Sequence, residues 1–240
     1  MSMATGAYRN IKIAGLQRVS LIDYPRHIAA SVFLAGCNLR CPYCHNRWMC
    51  DATNVEEAMA VEDFMAWLET RQGLLDGVCV SGGEPTLQAE LPAFMREIKE
   101  RGFEVKLDTN GTRPQMLGHL LDEGLADYVA MDVKAPLDAR YRQMAGRPVK
   151  MEAIRESMEL LRTRAPAYEF RTTVAPGLDE ADLVDIAGAL EGDDTWFLQV
   201  FRYTEEVDGA LADAEALDEE ALAKAVQRLK KVIPGVSLRE

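Results

Sequence analysis

The sequence predicts an α/β protein whose strands and helices alternate to form a partial (β/α)6 barrel. Six short apolar segments alternate with six segments whose apolar residues have helical spacing. Such alternation is typical of a parallel sheet with right-handed crossovers. A complete eight-unit barrel needs about 250 residues, whereas this chain has 240 residues, including a segment ahead of the first unit. We therefore expect a partial, open, TIM-like barrel.

The six predicted units follow one another from residue 29 onward. We predict strands at 29–34, 77–81, 104–107, 128–133, 169–174 and 195–201. We predict helices at 61–72, 91–101, 114–123, 151–163, 182–190 and 219–232. In the first helix, Phe64, Trp67 and Leu68 share one face, which is typical of packing against a sheet. Pro234 and Gly235 are expected to end the last helix.

Residues 1–28 are predicted to form a short extension ahead of the barrel. Residues 11–18 alternate loosely between apolar and polar side chains, and Asp23 and Pro25 predict a turn into the next strand. We therefore predict a short strand pair in this extension. The sequence contains no internal repeat and no low-complexity linker, so residues 29–240 are predicted to form a single domain.

Composition and charge exclude several classes of partner. Apolar residues make up 48% of the chain and charged residues 28%, as in ordinary soluble proteins. The formal net charge of -12 argues against a nucleic-acid partner, because such partners are bound by neutralising phosphates with Lys and Arg. The uncharged stretch 27–39 is too short to span a bilayer, and the first six residues show no export signal. We expect a cytoplasmic protein without a membrane partner.

Three closely spaced cysteines, Cys37, Cys41 and Cys44, follow the first predicted strand. Soft thiolates gathered in one loop predict a metal site. Iron–sulfur clusters normally take four cysteines, so three leave one iron free to bind another ligand. Zinc completed by His45 is an alternative, although His45 directly follows Cys44 and would strain to reach the same ion. A disulfide scaffold fits poorly, because five cysteines are an odd and sparse number.

The C-x3-C-x2-C spacing, with Tyr43 just before the last cysteine, resembles the signature loop of the radical S-adenosylmethionine (SAM) enzymes. The resemblance implies a 4Fe-4S cluster held by Cys37, Cys41 and Cys44, with Tyr43 also in the cofactor site. It implies that the open iron chelates the amino and carboxylate groups of SAM. One electron then splits SAM into methionine and a 5'-deoxyadenosyl radical, which removes a hydrogen atom from the substrate.

Short polar motifs follow the second and third predicted strands. In barrels the reacting groups lie at the carboxyl ends of the strands, where this chain has Gly-Gly-Glu at 82–84 and Asp-Thr-Asn-Gly at 108–111. Either motif alone is also typical of a turn. The resemblance implies that the backbone of Gly82, Gly83 and Glu84 holds the amino group of SAM. It further implies contacts to the ribose and carboxylate of SAM from Asp108, Thr109 and Asn110.

The fourth and fifth predicted strands carry charged candidates. Asp132 and Lys134 end the fourth strand, and a cation there can balance a ligand carboxylate. The family shows a similar Asp-x-Lys, so the resemblance places both in the SAM site. Arg171, on the fifth strand, either joins that site or is a barrel-interior residue without a role in it. Cys79 is expected in the core, and the sequence assigns no role to Cys50.

Two further segments resemble the glycyl-radical-enzyme activases within this superfamily. Residues 15–25 are similar to the lead-in of these activases, especially the type that activates anaerobic ribonucleoside-triphosphate reductase, although Arg26 stands where they usually carry glycine. His45-Asn46 also continues the cysteine loop as in the activases. The resemblance implies a glycyl radical enzyme as partner and a flavodoxin- or ferredoxin-type electron donor.

Three alternatives remain open from the sequence. The chain could instead be an activase of the pyruvate formate-lyase type. It could be a radical SAM enzyme acting on a small molecule, similar to 7-carboxy-7-deazaguanine synthase. It could also be a non-catalytic zinc-binding or electron-carrier module.

Overall fold

The computed structural model describes residues 10–239, which form one eight-stranded sheet whose strands lie side by side in chain order. The strands are β1 (Ile13–Ser20), β2 (Ala29–Leu34), β3 (Gly77–Gly82), β4 (Glu104–Thr109), β5 (Tyr128–Asp132), β6 (Tyr168–Val174), β7 (Trp196–Val200) and β8 (Val236–Arg239). The helices are α1 (Val61–Glu69), α2 (Leu91–Glu100), α3 (Pro114–Asp122), α4 (Tyr141–Ala145), α5 (Met151–Arg164), α6 (Glu180–Ala187) and α7 (Glu219–Leu229).

The strands from β2 to β8 are all parallel, as the alternation in the sequence predicts. In β2, five of six residues are buried, which is typical of a strand covered on both faces. The register pairs Leu34 with Gly82 and Asp132 with Arg171. Because parallel strands point the same way, the loops that follow them meet at one edge of the sheet. The predicted partial barrel is confirmed, with β1 and β8 as the edges of an open sheet.

The helices bury one face each against the outside of the sheet. Phe64 and Leu68 of α1 are fully buried, as is Phe94 of α2, whose ring centre lies 5.7 Å from that of Phe64. Helix α6 begins with a capping box in which Asp179 and Asp182 each bond the other's backbone N–H. All six helices predicted from the sequence are present, with ends shifted by at most three residues. The core therefore surrounds the sheet and leaves its carboxyl edge for the loops.

The N-terminal segment differs from its prediction. Instead of a strand pair ahead of the barrel, the described part of this segment has one strand, β1, and its partner is barrel strand β2. The pairing is antiparallel, with Ser20 opposite Ala29. In the connecting turn Arg26 has φ of 65°, a left-handed conformation that favours glycine. Residues 1–9 of the predicted extension, including the stretch inspected for an export signal, lie outside the described residues.

Two short elements are absent from the sequence prediction. Strand β8 adds a seventh parallel strand, which pairs with β7 immediately after the Pro234-Gly235 turn. Helix α4 has five residues and ends at Gly146, whose φ is 65°. Both elements are too short to show a periodic pattern of their own. They form because β7 and the cysteine loop give them partners.

No helix in residues 10–239 is both long and apolar enough to cross a lipid bilayer.

Candidate active site

A cavity of about 260 Å³ lies at the carboxyl edge of the sheet. All thirteen candidate residues from the sequence line it. They are Cys37, Cys41, Tyr43, Cys44, Gly82, Gly83, Glu84, Asp108, Thr109, Asn110, Asp132, Lys134 and Arg171. They come from five different loops and strand ends, so the parallel sheet brings them together. The cavity also includes Cys50, to which the sequence assigns no role.

One side of the cavity, the cysteine wall, consists of Cys37, Cys41, Cys44 and Cys50. Its loop contains no regular structure apart from one short 3-10 helix, so distant backbone groups hold it. The Cys37 N–H donates to the carbonyl of Cys50 at 2.9 Å, and the Arg40 N–H donates to the carbonyl of Ala145 at 2.9 Å. A side chain on Gly146 would overlap the Arg40 carbonyl. Helix α4 therefore supports the loop from outside the motif.

The thiols of the cysteine wall differ in acidity. A hydrogen bond from Cys50 is the main cause that lowers the pKa of Cys44, to about 6, and it also lowers the pKa of Cys37. Burial raises the pKa of Cys41 to about 11. The positive charge of Lys134 favours the thiolate at all three positions. Since thiolates are the metal-binding form of cysteine, these shifts favour the metal-binding form at Cys37 and Cys44 and oppose it at Cys41.

The zinc alternative does not fit this geometry. His45 Nε2 lies 2.8 Å from the carbonyl oxygen of Arg202 and is occupied by that contact. Within the described part of the chain, no group of three or more His, Cys, Asp or Glu side chains is arranged to hold a single metal ion. The structure also gives no support to a disulfide scaffold, because none of the five cysteines is paired in it. Thiols spread around a cavity suit a multinuclear cluster better than one ion.

The Gly-Gly-Glu turn packs against the start of the cysteine loop. The Gly83 N–H donates to the Leu34 carbonyl at 2.9 Å, and the Glu84 N–H donates to the Gly36 carbonyl at 2.8 Å. A side chain on Gly82, whose φ is 123°, would overlap the backbone of Leu34, and one on Gly83 would overlap that of Gly36. These glycines are therefore required for contact between two backbones, in addition to any contact with a ligand.

The carboxylate of Glu84 ties three loops together. It is fully buried and accepts hydrogen bonds from Thr109 Oγ1 at 2.8 Å and from the Asn110 N–H at 2.6 Å. Burial raises its pKa, although these hydrogen bonds oppose the rise. Asn110 Nδ2 in turn donates to Asn38 Oδ1 at 3.0 Å, which reaches the cysteine loop. The side chains of Glu84 and Thr109 thus position the loops, and their backbones line the cavity.

A second group of cavity-lining residues, the charged wall, consists of Asp108, Asp132, Lys134 and Arg171. Arg171 Nε lies 2.9 Å from Asp132, and its guanidinium lies 3.3 Å from Asp108. Lys134 Nζ lies 2.8 Å from Asp132. Burial alone would raise the pKa of Asp132, but the charges of Arg171 and Lys134 outweigh burial and lower it to about 2. Both carboxylates are therefore ionised at neutral pH.

Lys106 lies beneath the charged wall and was not among the candidates from the sequence. It is fully buried in β4 and forms an ion pair with Asp108. Its position two residues before Asp108 puts both side chains on the same face of the strand, which is a signal that the sequence did contain. Lys106 Nζ also lies 3.7 Å from the sulfur of Cys79. Cys79 is buried, as expected, and is separate from the cysteine wall.

Tyr43 connects the two walls. Its side chain is buried, and the Lys134 ammonium lies 6.0 Å from the centre of its ring. Among the residues that the structure describes, none forms a hydrogen bond with its hydroxyl group. A buried polar group normally has a partner. The hydroxyl of Tyr43 is therefore a buried polar group that lacks a partner among the described residues, in a residue that lines the cavity.

Comparison with known proteins gives matches over most of the chain. A family model described as the Radical SAM superfamily matches residues 31–190. A candidate glycyl-radical enzyme activating enzyme of Methanocaldococcus jannaschii is 34% identical over 238 residues, which cover 95% of this chain and 95% of that protein. The pyruvate formate-lyase 1-activating enzyme of Escherichia coli K12 is 32% identical over 178 residues, which cover 71% of this chain and 70% of that enzyme.

Solved structures share the fold. Methylornithine synthase superposes with a TM-score of 0.65 at 15% identity, covering 88% of this chain and 63% of that chain.

Proposed function

Because this chain belongs to the radical SAM superfamily, whose members use a 4Fe-4S cluster and SAM, we propose that it generates a glycyl radical on a partner enzyme, an anaerobic ribonucleoside-triphosphate reductase. It is a radical SAM enzyme similar to the glycyl-radical-enzyme activases. The observation that carries the proposal is that three thiols and the charged wall line one cavity.

We assign the cluster to Cys37, Cys41 and Cys44. The acidity of Cys37 and Cys44 and the positive charge of Lys134 suit thiolate ligands. When bound, the cluster and SAM supply one-electron cleavage of a carbon–sulfur bond and a radical that removes hydrogen. The protein contributes the positions of the ligands, the ionic environment and the exclusion of water. The burial of Cys41 and Tyr43 supports the exclusion of water from this site.

We assign SAM to the space between the cysteine wall and the charged wall. Lys106, Lys134 and Arg171 form ion pairs with two carboxylates, Asp108 and Asp132. This group therefore has one excess positive charge, which can balance the carboxylate of SAM. We assign the amino group of SAM to the backbone carbonyls of the Gly-Gly-Glu turn, because the N–H groups of Gly83 and Glu84 already donate to Leu34 and Gly36. Tyr43, whose hydroxyl lacks a partner among the described residues, lines the same cavity.

We propose that the substrate is another protein. The cavity lies at the carboxyl edge of the sheet, where the loops that follow the strands meet. A backbone glycine on a loop of another protein would approach from the open edge. The similarity to an activating enzyme over 95% of the chain also supports this substrate class.

We further propose a flavodoxin- or ferredoxin-type donor and a cytoplasmic location. An outside reductant is needed, because the five thiols alone cannot form a second cluster to relay electrons. Free thiols in all five cysteines are typical of a reducing compartment. A pyruvate formate-lyase-type partner is the second candidate, favoured by the 32% identity to the E. coli activating enzyme.

The cofactor assignment is tested by anaerobic reconstitution with iron and sulfide. We expect about four irons per chain, a broad visible absorption, and deoxyadenosine release when a reductant and SAM are added. Cys41→Ala should lose both the cluster and deoxyadenosine release. Cys79→Ala, which removes a buried thiol outside the cavity, should keep both. Deoxyadenosine release at the normal rate by Cys41→Ala would contradict the assignment.

The partner assignment is tested by electron paramagnetic resonance. Reduced, reconstituted protein and SAM are mixed in parallel with anaerobic ribonucleotide reductase and with pyruvate formate-lyase. We expect a glycyl radical on the reductase, with more spins than on the lyase. A radical on the lyase alone would favour the second candidate. Deoxyadenosine release without a radical on either enzyme would favour a small-molecule substrate instead.

A further inference from the structure

The cysteine wall contains one more thiol than the cluster needs. Cys50 lies outside the three-cysteine motif, but its sulfur is 3.9 Å from the sulfur of Cys44. It also lies close enough to Cys37 to form a hydrogen bond with it. Three ligands account for the cluster, so the position of Cys50 needs another explanation.

We propose that Cys44 and Cys50 form a reversible disulfide when the protein lacks its cluster. A disulfide needs sulfur atoms about 2.05 Å apart, so the present separation must shorten by side-chain rotation. The two residues lie on one short loop, which places no rigid strand or long helix between them. This inference goes beyond the proposed function, because it concerns the cluster-free protein whatever its substrate. The proposed function matters for one part of it only: the disulfide would block cluster assembly because Cys44 is assigned as a cluster ligand.

The pair is accessible from two sides. Cys44 is partly exposed and lines the cluster cavity. Cys50 is buried but lines both this cavity and a second one of about 480 Å³, whose other residues include Arg40, Arg47 and Trp48. A small oxidant can therefore reach Cys44 first, and Cys50 is in place to complete the bond. By contrast, Cys79 is buried next to Lys106 and faces neither cavity.

The reaction is thiol–disulfide exchange with a small-molecule disulfide such as glutathione disulfide. The thiolate of Cys44 attacks one glutathione sulfur and releases the first glutathione thiolate. Cys50 then loses its proton to solvent and attacks the sulfur of Cys44, which releases the second glutathione. The two cysteines together lose two electrons and two protons, and one glutathione disulfide becomes two glutathione molecules. The product keeps Cys44 from further oxidation and also from binding iron.

Tryptic mapping tests the pairing directly, because cleavage after arginine separates the relevant cysteines. Cys37 falls in peptide 27–40, Cys41 and Cys44 in 41–47, Cys50 in 48–71 and Cys79 in 72–96. Cluster-free, reduced protein is treated with glutathione disulfide, alkylated, digested and analysed by mass spectrometry. We expect peptide 41–47 joined to peptide 48–71, with fragmentation locating the bond at Cys44. A bond to Cys37, a bond within 41–47, or mixed glutathione adducts alone would overturn the proposal.

Two variants and one reconstitution complete the test. Cys50→Ser should lose the cross-linked peptide and keep glutathione on Cys44, whereas Cys79→Ser should cross-link as the wild type does. The oxidised wild type should fail to take up iron and sulfide until a dithiol reduces it. Undiminished uptake by fully cross-linked protein would overturn the protective role. The mapping uses neither iron nor SAM, so its failure is distinguishable from failure of the proposed function.

Discussion

The cysteine wall takes four thiols from residues 37–50, whereas the charged wall joins Asp108 to Arg171, 63 positions later in the chain. The cysteine wall is an irregular loop whose conformation depends on backbone hydrogen bonds to other elements. Three of the four residues of the charged wall lie on regular strands, and its ion pairs connect β4, β5 and β6. The thiols therefore contribute little to the contacts between strands, whereas the ion pairs of the charged wall link neighbouring strands.

This difference predicts that the two walls respond differently to mutation. Changes in the cysteine wall should mainly alter cofactor binding, because its thiols make few contacts that connect strands. Changes in the charged wall should alter the folding stability even without a cofactor. Each of the following experiments uses cluster-free protein unless stated otherwise, so that the stability of the walls is measured separately from cofactor binding.

The largest effect is expected for Arg171→Met. Removing the guanidinium leaves Asp108 and Asp132, two partly buried carboxylates, with one partner fewer each. Breaking a buried ion pair from one side typically costs about 3–5 kcal/mol, so urea denaturation should show a loss of that size in the free energy of unfolding.

Two controls make this result specific. Arg228→Met breaks an exposed pair with Glu180 and should cost at most about 1 kcal/mol. Cys37→Ser alters the cysteine wall and should cost about 1 kcal/mol or less. A loss for Cys37→Ser that equals the loss for Arg171→Met would contradict the proposed division between the walls.

The second-largest loss of folding stability is expected where the Gly-Gly-Glu turn meets the cysteine loop. Gly82→Ala combines a positive φ with overlap against the Leu34 backbone, and we expect a loss of about 2–4 kcal/mol in thermal or urea unfolding. Gly102→Ala is the matched control, because its φ is also positive but nothing lies near the added methyl group. It should cost only about 1–2 kcal/mol. Equal losses would show that the backbone contact is unimportant.

A smaller loss of folding stability is expected when the pH is lowered. The pKa of Asp132 is about 2 in the folded protein, against about 3.9 in an unfolded chain. Because the folded pKa is the lower one, the ionised carboxylate stabilises the fold above the unfolded pKa, and this stabilisation is lost as pH falls through 3.9 towards 2. It amounts to about 2 kcal/mol. The difference in unfolding free energy between wild type and Asp132→Asn should shrink by that amount between pH 5 and 2, and a constant difference would be contrary to this assignment.

The smallest change in stability is expected for Tyr43→Phe. The hydroxyl group has no partner among residues 10–239, so its removal should change the unfolding free energy by less than about 0.5 kcal/mol. In the reconstituted protein the same variant should bind SAM about fivefold more weakly, as expected for one lost hydrogen bond of about 1 kcal/mol. Unchanged affinity would show that this hydroxyl does not contact SAM.

The fold was predictable where the sequence pattern was long and regular. Six parallel strands and six helices follow from the alternation, and the sheet carries their ends to one edge. Strand β8 and helix α4 have four and five residues, so no periodicity marks them. The pairing of β1 with β2 was also missed, because a local turn signal does not specify which strand is the partner.

The candidate site was predictable only in part. The spacing of Cys37, Cys41 and Cys44 already indicates shared metal chemistry, because residues so close in the chain cannot be far apart in space. Cys50 has no motif around it, and its contact with Cys44 depends on how the loop is folded. Lys106 was missed although it shares a strand face with Asp108, because that spacing signals a possible ion pair but does not show that the lysine is buried.

The sequence by itself determined the metal-binding motif, the alternating fold and the strand ends at which polar residues gather, since these depend on local spacing and periodicity. The tertiary structure alone decided that Arg171 bridges two carboxylates, that Glu84 ties three loops and that Cys50 joins the cysteine wall. These contacts depend on the register between strands and on the path of an irregular loop. Both are set by packing of the whole barrel, which no short stretch of sequence encodes.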